Sequence, residues 1–137
     1  MKKRKIVITK SDRTKLRNLF YSTIGFRSRD LKTVKELFVE LDRAEIIDDE
    51  AIDKSIVTMN STVEIQDVKT KKEYTYTIVY PEDANLEENR ISILAPIGTA
   101  LLGYSEGDII IWEVPAGKRK ILIKKILYQP EAAVKAS

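Results

Sequence analysis

The sequence predicts an α+β protein: a short N-terminal antiparallel helical hairpin, then a mainly antiparallel β-sheet domain with one short helix. Three observations predict it. Apolar residues recur at helical spacing as far as Ala44. From Ser55 onward the period changes from helical to alternating, as in Thr62–Gln66 and Glu73–Tyr80, with runs rich in β-branched and aromatic residues. Gly and Pro fall between those runs, where a chain reversing direction needs them.

The hairpin comes first. Thr9-Lys10-Ser11-Asp12 resembles a capping box, whose hydroxyl and carboxylate satisfy the orphan amides of a helix start. Leu16, Leu19 and Phe20 follow at helical spacing, and Gly25 punctuates the stretch after them. Ser28 or Asp30 can cap a second helix, with the stripe Leu31, Val34, Leu37, Phe38, Leu41 and Ala44. Two single stripes are most economically buried against each other, hence the antiparallel pairing. Asp48-Asp49-Glu50 then reads as the end of the second helix and a hinge. This sets the expected division into residues 1–50 and 51–137.

Strands are expected at Thr62–Gln66 and Glu73–Tyr80, joined by a hairpin loop over Val68–Lys72, with Pro81 ending the second. Ile91–Leu94 is a third short strand. Pro96 near its start and Gly103 just past its end mark a short helix over Ile97–Leu102. Ile109–Val114 and Lys120–Tyr128 complete the sheet around Pro115-Ala116-Gly117, where Gly can supply a positive φ. The tail after Pro130 reads as frayed.

Composition narrows the chemistry. Apolar residues make up 43% of 137, enough for a packed core, and no run is long enough to span a membrane. The basic start is followed by only three apolar residues, Ile6-Val7-Ile8, too few for a signal peptide, so a cytoplasmic location is expected. With no Cys and no His, disulfides, Cys/His zinc sites and Ser-His or Cys-His nucleophile systems are excluded. Net charge is +3, but unevenly placed: residues 1–35 carry +10 and the remainder −7. Such asymmetry points to an anionic contact surface, protein or nucleic acid. Lys10, Arg13, Lys15, Arg17, Arg27 and Arg29 are its candidate residues.

The C-terminal half carries a resemblance. Ile91-Ser-Ile-Leu-Ala-Pro-Ile-Gly-Thr-Ala-Leu-Leu-Gly103, Glu106-Gly-Asp-Ile-Ile-Ile-Trp112, Pro115-Ala-Gly117 and Ile126-Leu-Tyr128 together resemble the C-terminal domain of the Gre transcript-cleavage factors. Glu40-Leu-Asp-Arg-Ala44, Val57-Thr-Met-Asn-Ser61 and Tyr128-Gln-Pro-Glu-Ala-Ala133 are more similar to the Rnk-like members of that family. The resemblance implies an FK506-binding-protein-like sheet domain and a partner, bacterial RNA polymerase, bound at its secondary channel. It implies that the loop before the short helix, here Leu94, Ala95 and Pro96, contacts the channel rim. Where the family often has Asp-Ser-Pro or Asn-Ser-Pro, Leu94 and Ala95 replace the polar pair.

A second departure concerns catalysis. The Gre hairpin tip carries two acids that hold Mg²⁺ as hard oxygen ligands. The corresponding segment here, Tyr21 to Arg29, contains no acid. Asp48-Asp49-Glu50 offers carboxylates at the opposite end, where a solvated helix end is the commoner meaning. The expectation is therefore a monomeric, non-cleaving polymerase-binding regulator that competes with Gre factors. No catalytic residue, metal or cofactor is expected, and no membrane partner. The alternatives are a nucleic-acid-binding module using the basic N-terminal segment and, ranked last, cleavage assisted by Asp48 and Asp49. Tyr74, Tyr76 and Tyr80 read as a half-buried core face before an RNA-stacking platform. Gly117-Lys118-Arg119 lacks the flanking residues of a phosphate-binding loop.

Overall fold

The computed structural model describes residues 6–22 and 28–136. Strand β1 (Val7–Thr9) leads directly into helix α1 (Lys10–Ser22), and helix α2 (Ser28–Arg43) is followed by β2 (Glu45–Ile47). β1 and β2 pair in parallel, with Ile8 opposite Ile46. The Thr9 hydroxyl accepts from the Asp12 amide at 3.1 Å, so the first half of the expected capping box is formed. The second half is not: the Asp12 carboxylate instead accepts from the Met59 amide at 3.1 Å. A cap that ordinarily closes on its own helix here ties α1 to the chain following β2.

The sheet domain holds β3 (Thr62–Asp67), β4 (Glu73–Val79), β5 (Arg90–Ser92), α3 (Pro96–Leu101), β6 (Ile109–Val114), β7 (Gly117–Tyr128) and α4 (Pro130–Ala136). The strand order is β5-β4-β3-β7-β6. Every pairing is antiparallel except β4 with β5. The register between β3 and β7 shifts at Thr62/Val63 and at Glu64/Ile65, and such irregularities bend a strand and strengthen its twist. The result is a curled, mostly antiparallel sheet. Alternation does what it predicts: Val63, Ile65 and Asp67 of β3 are buried while Thr62, Glu64 and Gln66 are only half-covered.

One hydrophobic cluster runs through the molecule. Val63, Ile65, Ile78, Ile121 and Ile123 from the sheet meet Ile97 and Leu101 from α3, and Ile6, Ile8, Leu16, Leu37 and Leu41 join the same cluster. Leu16 of α1 and Leu37 and Leu41 of α2 are thus spent on this shared core. The two helices also touch each other. Phe20 stacks on Phe38 with centroids 4.0 Å apart and planes at 26°.

Several expectations are corrected in detail. Ile6-Val7-Ile8 supplies core residues and a strand. α2 ends at Arg43, before the acidic stretch, because Glu45–Ile47 are drawn into pairing with β1. The tail after Pro130 forms α4, and the Glu131 carboxylate accepts from the Thr58 hydroxyl at 2.7 Å. The preceding Gln129 donates to the carbonyls of Asp53 and Ile56, both at 2.8 Å. Gly103 takes φ +83°, as expected of a residue just past a helix end. It also has a second reason to be glycine, since a Cβ there would lie 2.6 Å from the Ile6 Cβ. The Val7 amide donates to its carbonyl at 3.1 Å, so the N-terminal strand crosses the sheet domain at backbone distance.

Candidate functional site

The loop of residues 93–95 connects β5 to α3, and Pro96 opens the helix at its first turn. Its backbone is held from several sides. The Leu94 amide donates to the Ser92 hydroxyl at 3.0 Å, and the Ala95 amide to the Ser92 carbonyl at 2.9 Å. The Ile93 amide donates to the Val79 carbonyl at 2.8 Å, and the Thr99 hydroxyl to the Ile93 carbonyl at 2.7 Å. Gly98 permits this compactness, because a Cβ there would meet the Ser92 carbonyl oxygen at 2.6 Å. Of the three predicted contact residues, Pro96 is exposed, Ala95 is half-buried, and Leu94 is half-buried with part of its side chain against the core.

The predicted basic residues divide. Arg13 and Lys15 are exposed on α1 and Arg17 is half-buried. Lys10 pairs with Asp48 at 2.7 Å, with 67% and 59% of the two side chains exposed, so the pair is largely solvated and its energetic worth is small. Asp48 holds the Lys10 ammonium above the usual lysine range. Arg27 lies outside the described residues, as does the side chain of Arg29. Of these cations, Lys10 is brought together with the carboxylates of residues 48–50. Asp49 accepts from the Ser11 amide at 3.2 Å and from the Ser11 hydroxyl, placing a negative charge at the start of α1. The two Asp side chains of the acidic stretch thus serve the helix start.

Beneath that start sits a buried polar cluster. Asp12 is 7% exposed. Its pKa rises to about 6, chiefly because burial penalises the charged form. The Met59 amide partly offsets this, and the nearby Glu131 and Asp49 reinforce it. Tyr80 is also raised, by burial first and then by the charge of Asp12.

A second basic feature escaped the sequence reading. The turn after β3 carries Lys69, Lys71 and Lys72, and the start of β7 carries Lys118, Arg119 and Lys120. Because β3 and β7 are antiparallel, Asp67 lies opposite Ile121, and the two basic runs share one end of the sheet. They flank a cleft of about 430 Å³. Asp67 organises it: its carboxylate accepts from the Lys69 and Thr70 amides at 2.9 and 3.1 Å and pairs with Arg119 at 3.2 Å. These contacts hold Asp67 below the usual carboxylate range, the Thr70 amide first among them. The only sequence signal was two short basic runs at turns, hidden within a half whose net charge is negative.

Comparison with known proteins now decides the family. Residues 52–128 match the family model "Transcription elongation factor, GreA/GreB, C-term". The chain belongs to the GreA/GreB family. It is 40% identical over 98 residues to "Regulator of nucleoside diphosphate kinase" of Escherichia coli strain K12, covering 71% of this chain and 72% of that one. It is 38% identical over 96 residues to "Transcription elongation factor GreA" of Hyphomonas neptunium, spanning 61% of that protein's length. Among solved structures, "Prokaryotic transcription elongation factor GreA/GreB from Nitrosomonas europaea" superposes with a TM-score of 0.73 at 41% identity. That match covers 92% of this chain and all of that one. The chain is thus an Rnk-like GreA/GreB protein with transcription-factor relatives. In it, the matched segment includes the whole curled sheet, the 94–96 loop and the basic cleft. Among the described residues, no helix of this GreA/GreB protein is long and apolar enough to cross a membrane.

Proposed function

We propose that this chain is a transcription regulator of the Rnk-like type that binds bacterial RNA polymerase as a monomer. It docks at the rim of the secondary channel through Leu94, Ala95, Pro96 and the adjoining sheet, does not cleave transcripts, and competes with Gre factors. The observation that carries the reading is the preorganised 94–96 loop inside the family-matched segment. Its backbone is fixed by Ser92, Val79 and Thr99, so little ordering entropy is lost on docking. Leu94 and Pro96 offer apolar contact where other family members offer a polar pair. Residues 51–137 act as the gripping domain, and residues 1–50 present α1 and α2 toward the polymerase. The cations of this part (Arg13, Lys15 and Arg17, with Arg27 and Arg29 near the expected tip) speed encounter with acidic surface and orient it. The absence of any acid from Tyr21 to Arg29 supports the non-cleaving assignment.

The test is RNA cleavage in reconstituted, backtracked bacterial RNA polymerase complexes, with and without a Gre factor. Inhibition of Gre-stimulated cleavage, with no cleavage by this protein alone, is expected. Leu94→Ser with Pro96→Ala should weaken that inhibition at least tenfold while the thermal transition stays cooperative. Cleavage stimulated by the protein itself would overturn the non-cleaving assignment. Absence of any effect at saturation would overturn docking. The second reading, a nucleic-acid module built on the +10 segment of residues 1–35, is favoured by charge alone. It predicts steep salt dependence of RNA affinity that is lost with the N-terminal cations.

A further inference from the structure

We propose that the free edge of β6 takes up an extended segment of a partner protein as an added strand of the sheet, the segment being apolar along β6 and acidic where it passes the β6–β7 turn. This goes beyond polymerase docking: β6 lies at the opposite edge of the sheet from β5, which leads into the 94–96 loop. The backbone decides which groups are free. The Ile123 amide donates to the Asp108 carbonyl at 2.9 Å, so Asp108 faces β7. In an antiparallel pair, residues that bond to the partner strand alternate with residues that do not. Ile110, Trp112 and Val114 therefore turn their backbone groups to β7, and Ile109, Ile111 and Glu113 turn theirs outward. Among the described residues, no further strand pairs with β6 and no loop backbone bonds to these three. Outward amides and carbonyls that recur about every 6.8 Å match another extended polypeptide, which offers acceptors and donors at the same repeat.

The side chains say what that polypeptide carries. Register pairs Ile109 with Leu122, Ile111 with Lys120 and Glu113 with Lys118. Directly opposite residues share a face, and the alternate pair Ile110 and Ile121 is buried in the core, so these six lie on the face away from it. Ile109 and Ile111 are 57% and 43% exposed, with Leu122 half-buried beside them. Exposed apolar side chains on an unprotected edge favour an apolar strand alongside. Charge supplies the rest. Lys118 and Lys120 are exposed on the same face. Among the described residues, Lys118 pairs only with Glu113, at 3.9 Å, and no carboxylate forms a salt bridge with Lys120. Acidic residues of the segment meet these two ammonium groups and fix its direction along β6. A second copy of this chain is the weaker fit. The six residues of β6 paired with themselves are a small contact against the roughly 1,200 Å² that a stable pair of chains buries. Short extended segments, by contrast, hold sheet edges through main-chain bonds.

The probe is a capped peptide of about eight residues, alternating valine and threonine and ending in a run of glutamate. Titrated into the full isotope-labelled chain, it should shift the amide resonances of Ile109, Ile111 and Glu113 and slow their hydrogen exchange, while the Ala95 amide stays in place. Ile111→Pro deletes one outward amide without touching the bonds to β7, a change that edge strands tolerate, and should weaken the peptide about tenfold. Ile109→Thr/Ile111→Thr keeps strand propensity, removes the apolar pair and should also weaken it about tenfold. A peptide ending in lysine should bind the parent more weakly than the glutamate peptide. The proposal is overturned if millimolar glutamate peptide leaves the β6 amides unmoved, or if both β6 variants, folded, bind it like the parent. It is also overturned if the lysine peptide binds as tightly. Self-association of the parent in sedimentation that Ile111→Pro abolishes would overturn it too, since β6 would then serve a second copy.

Discussion

Replacing Asp12 by Asn should make this protein more stable at pH 8 and leave it nearly unchanged at pH 4. Asp12 lies under the start of α1, 7% exposed, with its carboxylate accepting from the Met59 amide. Its pKa is raised from 3.8 to about 6. A raised carboxylate pKa means that the native state resists ionisation. The favourable contribution is fully present below the unfolded value and is lost as pH rises through the folded value. A shift of about 2 units corresponds to about 3 kcal/mol of penalty above pH 7. Asn removes that penalty and keeps an oxygen for the Met59 amide, but it forfeits a negative charge in the first turn of α1, costing about 0.5–1 kcal/mol. The expected net gain is about 2 kcal/mol at pH 8, shrinking to near zero below pH 4. Urea unfolding of both proteins across pH 4–8 measures the difference directly, and other titrating groups cancel in the comparison. Asp12→Ala should instead lose about 1–3 kcal/mol at pH 4, because the buried Met59 amide is left without an acceptor, and less at pH 8, where removing the carboxylate also removes its ionisation penalty. An Asn variant destabilised more at pH 8 than at pH 4 would refute the reasoning, since the carboxylate would then be stabilising in its charged form. Glu131 and Asp49 contribute to the shift. Glu131→Gln should therefore lower the Asp12 midpoint followed by NMR titration.

Two further outcomes follow from packing. Gly103→Ala should cost about 2 kcal/mol or more, because φ +83° is strained for alanine and the new methyl meets Ile6 at the β1 crossing. Denaturant unfolding checks it, and a loss below about 0.5 kcal/mol would mean that β1 shifts freely. A double-mutant cycle of Phe20→Ala and Phe38→Ala should give a coupling of about 1 kcal/mol if the stacked pair joins α1 to α2 in solution. Additive losses would show that each ring packs independently.

Most of the elements are legible in the residues alone. Alternation located β3 and β4, since a sheet with one buried face imposes that period on a chain forming it, and the apolar runs within Ile109–Val114 and Lys120–Tyr128 located β6 and β7. Helical spacing located α1 and α2, and Pro96 and Gly103 bracketed α3 because a missing amide and a positive φ are local requirements. The motifs that carry the family resemblance, Ile91–Gly103 among them, are legible for the same reason: each forms one continuous segment. Contacts between distant segments were not legible. β1 and β2 are each three residues long, and nothing in Val7–Thr9 or Glu45–Ile47 names the other as its partner. The Asp12 carboxylate looked like part of a helix cap, and only the approach of Met59 gave it a different donor. Glu131 seemed to lie in a loose tail until the Thr58 hydroxyl was placed against it. The basic cleft shows the cause most plainly. Lys69 and Lys118 are separated along the chain by three strands and a helix, and net charge summed over that stretch conceals both. Antiparallel pairing of β3 with β7 brings their ends together, because hydrogen-bond register acts through space and leaves no mark on local composition.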